Sequence, residues 1–236
     1  TCAQLVVDSY NTFTWVRCLQ KKSNWMPFID LLQGHANKTV GHSITRFHTD
    51  HESVLINQKQ RDHLWSQGTL VPTSSPPDCH WKNGKCERAH QFEKNKLKVA
   101  LHNPQLDDSL WPVLIKDYAV LLCNCTPRRH LGGRCPWDLM KEYDPSLRFT
   151  SQEILKAMLE PGTLVVSHRS ATKNIQGPFV GLDVNLGGGI GYKVYNLSSK
   201  QVVSCEQVIV IKKLPTVGFD HSSPRDLLVR DPYLEG

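Results

Sequence analysis

The fold is decided by two short stretches, Arg46-Phe47-His48-Thr49-Asp50 and Asn83-Gly84-Lys85-Cys86-Glu87-Arg88. The first predicts a β-strand that ends at Asp50, and the second predicts a loop that leads into a long helix with Glu87 in its first turn. Thirty-six residues separate the two acids. A strand end and a helix start can lie at one edge of an α/β sheet. The pattern therefore indicates two carboxylates able to hold Mg²⁺ beside a phosphodiester.

Each acid taken alone has an ordinary structural explanation. A carboxylate in the first turn of a helix is favoured by the helix dipole, and an acid directly after a strand is common in turns. The metal-site hypothesis therefore depends on what surrounds Asp50 and Glu87 along the chain.

The composition is that of an ordinary globular protein. Of the 236 residues, 39% are hydrophobic and 21% are charged, and this length accommodates one large domain or two modest ones. No apolar run approaches the roughly 20 residues needed to cross a bilayer, and no secretory signal opens the chain, so we expect no membrane association. The formal charge of +6 favours polyanionic partners and is equally typical of a solvated surface.

The eight cysteines allow three interpretations. For a chain this long without a secretory signal, the reduced thiols of an intracellular protein are favoured over disulfides. Cys123 and Cys125 lie at the end of a predicted apolar helix, where free cysteine usually fills the core. A tetrahedral zinc site is the alternative, because four residues have nearly the spacing of a zinc knuckle. They are Cys123, Cys125, His130 and Cys135.

The first hundred residues alternate between predicted strands and helices. Two β-branched and aromatic runs that meet at Tyr10-Asn11 indicate a hairpin, and the Pro- and Ser-rich stretch 73–78 indicates an irregular loop. Apolar periodicity indicates helices that end near Gly34, before Gly68 and before Asn103-Pro104. Strands are predicted at residues 4–9, 12–19, 43–49 and 70–71. Helices are predicted at residues 25–33, 55–65 and 86–101.

The character of the sequence changes in its second half. A helix is predicted over residues 108–123, with Ser109 or Asp108 as its cap. Beyond Pro145, a short helix over residues 152–159 precedes short β-type runs with Gly-rich turns, which indicate a small barrel or sandwich. These strands are predicted at residues 163–167, 179–184, 192–195, 202–204 and 208–211. The pattern therefore predicts an α/β core over residues 1–145, a β-rich domain over 146–213 and an irregular tail over 214–236.

These motifs, in this order, resemble the catalytic core of retroelement integrases, most closely those of copia-type retrotransposons. The stretch that ends in Asp50 resembles the family's strand with its second catalytic Asp. The stretch around Glu87 resembles the Asn-Gly-x-x-Glu-Arg motif, whose Glu is the third catalytic acid. The resemblance covers most of residues 4–211. Further matching positions are 7–10, 13–16, 68, 74–76, 110–112, 119, 124–127, 177–181 and 191–195.

The resemblance implies a ribonuclease-H-like mixed sheet flanked by helices, followed by a small SH3-like β-barrel domain. It implies a DNA integrase that processes the 3′ ends of element DNA and joins them to target DNA. Asp50 and Glu87 would then be the catalytic ligands of Mg²⁺ or Mn²⁺. Double-stranded DNA as partner, a homo-oligomer, and a nuclear location with a cytoplasmic particle stage are implied in the same way.

The chain departs from the family pattern at two places. The family's first catalytic Asp belongs to a strand that is expected to precede Thr1. Asp8, with 41 residues between it and Asp50, matches a turn position and is not assigned to the metal site. His51-Glu52 stands where the family usually has Asn-Gly, whose glycine allows a close backbone approach. Three hypotheses follow: an active integrase, an inactive relic that serves as a DNA-binding or protein-interaction module, and a different ribonuclease-H-like nuclease, which would be favoured if the C-terminal region were not a small β-barrel.

Three polar residues share one face of the predicted helix that carries the second acid. Gln91, Lys94 and Lys98 follow the glutamate by four, seven and eleven positions, the spacing of a single helix face. Gln91 and Lys94 also match family positions that contact element DNA. The lysines would bind phosphates as point charges. The alternative is a solvated helix face with Glu93 and Lys96 nearby.

Overall fold

The structure is a computed structural model that describes residues 2–49, 57–66, 68, 70–74, 83–170, 173–184 and 189–212. The chain divides into two compact units. Unit 1 consists of Thr1–Gln91 and Met140–Arg148, and unit 2 consists of Phe92–Leu139 and Phe149–Gly236. Each unit has its own cluster of buried apolar side chains.

The hairpin at the start of unit 1 confirms the sequence prediction. Strand β1 (Cys2–Val7) pairs antiparallel with β2 (Thr14–Leu19) over six residue pairs. Helix α1 (Met26–His35) continues through a π-helical turn and ends at Gly41, whose φ is 76°. The predicted end near Gly34 is wrong, because a helix interior tolerates a glycine at a cost of about 1 kcal/mol. Gly41 instead adopts the left-handed conformation that ends a helix.

The parallel pair of β3 (Arg46–Thr49) and β4 (Leu70–Ser74) follows. Its register shifts between Arg46 opposite Leu70 and His48 opposite Thr73, which places Pro72 in the irregular stretch of β4. Proline lacks an N–H donor and is tolerated within a strand at such an irregularity. The predicted loop is therefore wrong for residues 73 and 74, because pairing with β3 extends the strand beyond Pro72.

The core of unit 1 is built by the hairpin and two helices. Helix α2 (Gln58–Ser66) is followed by Gly68, whose φ is 77°, as predicted for its C-terminal end. Trp25 is 1% exposed, and its ring stacks on that of Phe47 with 5.7 Å between centroids. The apolar contacts join elements that are distant in sequence. The other buried members are Leu19, Phe28, Ile29, Leu32 and Leu64.

The segment Met140–Arg148 is attached to unit 1 by a buried carboxylate. Asp144 is 3% exposed, and its Oδ1 accepts hydrogen bonds from the backbone N–H and the hydroxyl of Ser146. Its Oδ2 lies 2.7 Å from Nε2 of His35, at the end of α1. Since both oxygens have partners, burial of this acid is compensated, and the segment is tied to α1.

Unit 2 begins within α3 (Gly84–Leu101), which starts two residues before the predicted helix. The next helical run is capped by Asp107, whose Oδ1 accepts the N–H of Ser109 at 2.7 Å. The predicted cap, Ser109 or Asp108, is wrong, because the carboxylate one residue earlier reaches that N–H. The run consists of Asp108–Leu110 (3-10), α4 (Trp111–Leu114), Ile115–Ala119 (π) and α5 (Val120–Cys125).

Two short helices precede the sheet. Helix α6 (Pro136–Lys141) was not predicted from the sequence, and α7 (Ser151–Ala157) ends before the predicted residue 159. The backbone N–H of Thr150 donates to the Glu153 carboxylate at 2.7 Å, and the Glu153 N–H donates to Thr150 Oγ1 at 3.3 Å. This capping box fixes the start of α7. The carboxylate of Asp138 accepts both the N–H and the hydroxyl of Ser151, which joins α6 to α7.

The rest of unit 2 is a five-stranded antiparallel sheet in the order β8-β7-β6-β5-β9. All five predicted strands are present, but β6 begins six residues earlier than predicted, because its first part, which includes Gly177-Pro178, pairs with β5. No ladder joins β8 to β9 in the part of the chain that the structure describes, so closure into a barrel stays a prediction. The strands are β5 (Leu164–Ser170), β6 (Lys173–Asp183), β7 (Gly191–Asn196), β8 (Gln201–Cys205) and β9 (Ile209–Lys212).

The helices of unit 2 pack on this sheet through a partly buried ion pair and an apolar cluster. The Lys193 ammonium donates to Asp117 Oδ2 at 2.8 Å, with the side chains 19% and 13% exposed. Burial raises the pKa of Asp117, and the hydrogen bond from Lys193 opposes that rise. The buried apolar members are Ala100, Leu106, Leu110, Leu114 and Val180.

The chain is mixed α/β, with helices against a five-stranded antiparallel sheet, which confirms the predicted class. The SH3-like barrel and the domain boundaries after residues 145 and 213 stay predictions. Within the described ranges, every helix is too short or too polar to cross a bilayer.

Gly177 supports a direct test of the sheet. A Cβ atom at this position would lie 1.8 Å from the backbone oxygen of Tyr195, which cannot move independently of β7. We expect Gly177→Ala to destabilise the protein by about 1–3 kcal/mol or more through overpacking. Thermal unfolding measures the effect, and Gly189→Ala, which meets nothing within 4 Å, is the matched control. Equal stability of the two variants would show that β6 and β7 are not paired this closely.

Candidate functional site

The strand that leads to the first predicted metal ligand is present. Asp50 itself lies outside the described residues. The preceding residue, Thr49, is 5% exposed and pairs with Ser74 at the end of β4. Beside it, Nδ1 of His48 lies 2.9 Å from Oγ1 of Thr73. Because β3 and β4 are parallel, their carboxyl ends meet at one edge of the pair, and Asp50 follows Thr49 in the sequence.

The second predicted ligand, Glu87, lies in the first turn of α3 and is exposed. The same turn of the helix is anchored, because Nζ of Lys85 donates to the backbone oxygen of Ser9 at 2.5 Å. Ser9 belongs to the turn between β1 and β2. The hairpin therefore fixes where α3 begins in unit 1, and the Glu87 carboxylate is left accessible to solvent and to ligands.

Asp8 is placed in a turn, as its position in the sequence predicts. Its Oδ1 accepts the backbone N–H groups of Tyr10 and Asn11, each at 2.8 Å. An Asp that bonds the backbone two or three residues ahead stabilises a turn. This geometry gives Asp8 a structural role and supports its omission from the predicted metal site.

Both predicted ligands are carboxylates, which suit a hard cation, but of the two only Glu87 lies within the described residues. Carboxylate oxygens are the protein ligands that Mg²⁺ prefers, and Glu87 offers them at an exposed position. In the described ranges, no three His, Cys, Asp or Glu side chains are placed to hold a metal ion together. The pairing of Glu87 with Asp50 around a metal ion thus stays a prediction.

The polar face of α3 is solvent-accessible. Gln91, Lys94 and Lys98 are all exposed, as DNA contacts require. Lys96 differs from them, because it is half-buried and its Nζ lies 5.5 Å from the ring centroid of Phe92. Burial lowers the pKa of Lys96. The exposed positions agree with the predicted face, and their contact with DNA stays a prediction.

Glu93 is fully buried. The alternative prediction of a solvated helix face near Glu93 is therefore wrong at this residue. Neither carboxylate oxygen has a hydrogen-bond partner within the described residues. Burial raises the pKa of Glu93 to about 8, and the Arg128 guanidinium opposes the rise. Glu93 therefore binds a proton readily in the folded state, on the side of α3 that faces away from the predicted DNA-binding face.

The cysteines of the zinc alternative act as core residues. Cys123, Cys125 and Cys135 are buried, and the Cys135 thiol donates to the backbone oxygen of Cys125 at 3.1 Å. Burial raises the pKa of Cys125 and of Cys135, which favours the neutral thiol over the thiolate that zinc needs. His130 is exposed. These environments favour core packing over a shared metal.

Sequence reasoning missed the pairing of Glu93 with Arg128. A signal for the burial of Glu93 exists, because it lies four residues after Ala89 and seven before Ala100, both buried. An acid in an apolar stripe predicts either a buried partner or a raised pKa. The partner, 35 positions away, has no sequence signal.

The chain was compared with known proteins. No protein-family model and no curated protein sequence matches it. The catalytic core domain of BIV integrase is 14% identical, with a TM-score of 0.42, over 59% of this chain and 85% of that one. The HTLV-2 integrase catalytic core, solved in complex with magnesium, is 20% identical, with a TM-score of 0.39, over 58% of this chain and 81% of that one.

A chain of the simian T-cell lymphotropic virus intasome, solved in complex with the PP2A regulatory subunit B56 gamma, is also similar. It is 16% identical, with a TM-score of 0.46, over 86% of this chain and 69% of that one. The structural neighbours are thus retroviral integrases and their catalytic cores. At these identities the likeness concerns the fold alone, and the copia-type assignment is not among these findings.

The pKa of Glu93 gives a testable pH dependence. A raised pKa of about 8 contributes stability that is fully present below the ordinary value of 4.5 and is lost as pH rises to 8. The loss is about 4 kcal/mol, at 1.36 kcal/mol per pKa unit. Glu93→Gln keeps the shape without the charge, so it should be more stable than the unmodified chain near pH 8. Denaturant unfolding at several pH values measures the free energy of unfolding of Glu93→Gln, of the unmodified chain and of the control Glu206→Gln, which changes an exposed acid. The prediction is refuted if Glu93→Gln shows the same pH dependence as the unmodified chain and the control.

Proposed function

We propose that this chain is an integrase-type polynucleotidyl transferase that acts on DNA ends. The observation that carries the proposal is Glu87, exposed in the first turn of an 18-residue helix that opens with the Asn83-Gly84-Lys85-Cys86-Glu87-Arg88 motif. A parallel strand pair ends directly before Asp50. Asp50 follows this strand in the sequence and Glu87 lies in the first turn of the helix, which are the positions that the motif pattern predicts for its two acids.

The proposed reaction is 3′-end processing of element DNA followed by its joining to target DNA. A Mg²⁺ or Mn²⁺ ion, when bound, would activate the attacking hydroxyl and stabilise the leaving oxygen. Asp50 and Glu87 would supply carboxylate ligands to it. Lys85 would keep Glu87 in place through its bond to Ser9. Lys94 and Lys98 would attract the phosphate backbone of the DNA.

The second candidate function is that of an inactive relic that binds DNA or protein without catalysis. Asp8 favours this alternative, because the acid of the hairpin is held in a turn by two backbone N–H groups. It is therefore poorly placed to act as a third carboxylate. For either function we propose double-stranded DNA as partner, a homo-oligomer, and a nuclear location with a cytoplasmic particle stage.

A strand-transfer assay on short duplex ends with Mg²⁺ or Mn²⁺ tests the proposal. The unmodified chain should join DNA, whereas Glu87→Gln and Asp50→Asn should reduce joining to background, because each removes a charged ligand without changing side-chain size. Both variants should still retard the duplex on a gel. Glu206→Gln, an exposed acid outside the proposed site, is the matched control and should join normally.

Two outcomes would contradict the catalytic proposal. Joining that survives both substitutions would place the chemistry elsewhere in the chain. Failure of the unmodified chain to join DNA, with gel retardation intact, would favour the relic.

A further inference from the structure

The loop from Thr126 to Cys135, here called the basic loop, concentrates positive charge that the proposed site does not use. It contains three arginines and a histidine, and the nearest acids along the chain are Asp117 and Asp138. No acid is therefore available within the loop to neutralise it. The basic residues are Arg128, Arg129, His130 and Arg134.

The backbone of the basic loop is closed by its own hydrogen bonds. The N–H of Arg128 donates to the oxygen of Arg134 at 3.0 Å, and the N–H of Gly133 donates back to the oxygen of Arg128 at 3.0 Å. Gly132 and Gly133 have φ values of 65° and 82°, a conformation that favours glycine at both positions. The tip is thus preorganised, and these N–H groups are already used within the loop.

Arg128 fixes the base of the loop to the helices of unit 2. Its Nη2 donates to the backbone oxygen and to the Sγ of Cys123, at 3.2 and 2.9 Å. Its guanidinium lies 5.3 Å from the ring centroid of Phe92, a cation–π distance. Arg128 is therefore an anchor, and recognition of a ligand is left to the other cations.

Arg129, His130 and Arg134 are exposed at the tip. A guanidinium offers five N–H donors in a fixed fork that matches two oxygens of one phosphate. Because the backbone of the loop is already ordered, binding through these two groups needs no further ordering of the backbone. Because the loop's N–H groups are used internally, the contacts expected here are side-chain contacts to phosphate, without base recognition.

The basic loop differs from the predicted DNA-binding face of α3. Its anchor ring, Phe92, precedes Lys94 by two residues, which is about 160° away around the helix. A ligand on the loop would therefore approach a different side of α3 from a ligand on Lys94 and Lys98. The two cationic groups are separate surfaces.

We propose that the basic loop is a second DNA-binding surface, which holds the phosphate backbone of a duplex through Arg129 and Arg134. This inference rests on the proposed function for its choice of duplex DNA as the polyanion. It is independent of catalysis, because neither arginine belongs to the Asp50 and Glu87 site.

The test is the salt dependence of duplex binding by the full chain. Fluorescence anisotropy of a labelled short duplex is measured between roughly 50 and 200 mM salt for R129A/R134A and for R148A/K156A. The second variant removes two exposed cations elsewhere and is the charge-matched control. The slope of log K against log salt should fall by about 2 in R129A/R134A, or about 0.9 per lost phosphate contact. It should stay unchanged in the control.

A charge-preserving variant separates phosphate binding from loss of structure. R129K/R134K should keep most of the slope, because lysine still binds phosphate as a point charge. Unfolding temperatures equal to that of the unmodified chain establish that each variant is folded. A folded R129A/R134A with unchanged slope and affinity would overturn the inference. The inference would also be overturned if the unmodified chain bound polyglutamate and R129A/R134A lost that binding while it still bound the duplex. That result would indicate an acidic protein partner.

The two proposals fail separately. If duplex binding depends on the loop but the unmodified chain joins no DNA, catalysis fails and the second surface stands. If DNA joining depends on Glu87 but the slope of log K against log salt is unchanged in R129A/R134A, the second surface fails and the catalytic proposal stands.

Discussion

Along α3, Ala89, Glu93 and Ala100 recur at helical spacing, and each is less than a tenth exposed. Because an α-helix turns about 100° per residue, burial of this stripe directs Glu87 and Lys94 largely to the opposite side. The hydrogen bond from Lys85 to Ser9, near the start of the helix, fixes its N-terminus. The position of the carboxylate and the accessibility of the helix face therefore both depend on how α3 is buried.

The cost of that burial is concentrated at Glu93, whose carboxylate has no hydrogen-bond partner in the described part of the chain. Burying an ionised carboxylate is unfavourable, and the group responds by binding a proton more readily. Arg128 reduces the cost electrostatically, and it also contacts Phe92 and Cys123. One guanidinium thus links the buried acid of α3 to the base of the basic loop, so the charge of the helix and the shape of the loop are coupled.

Local patterns in the sequence predicted the elements well where one segment carries all the information. The hairpin, the strand before Asp50 and the helix with Glu87 in its first turn are examples. The predictions failed where a distant partner overrides the local preference. β4 continues past Pro72 because β3 pairs with it, and β6 includes Gly177 because β5 pairs with it there. Proline and glycine indicate turns in isolation, and only pairing reverses that indication.

The sequence by itself determined the spacing of Glu87, Gln91, Lys94 and Lys98 on one helix face, since helical periodicity needs no other segment. It also determined the charge of the basic loop. Only the tertiary structure decided which partner each of three acids meets: Arg128 near Glu93, Lys193 at Asp117, and His35 at Asp144. The identity of each partner is set by contacts between residues far apart along the chain, and such contacts leave no signal in the local sequence of either residue.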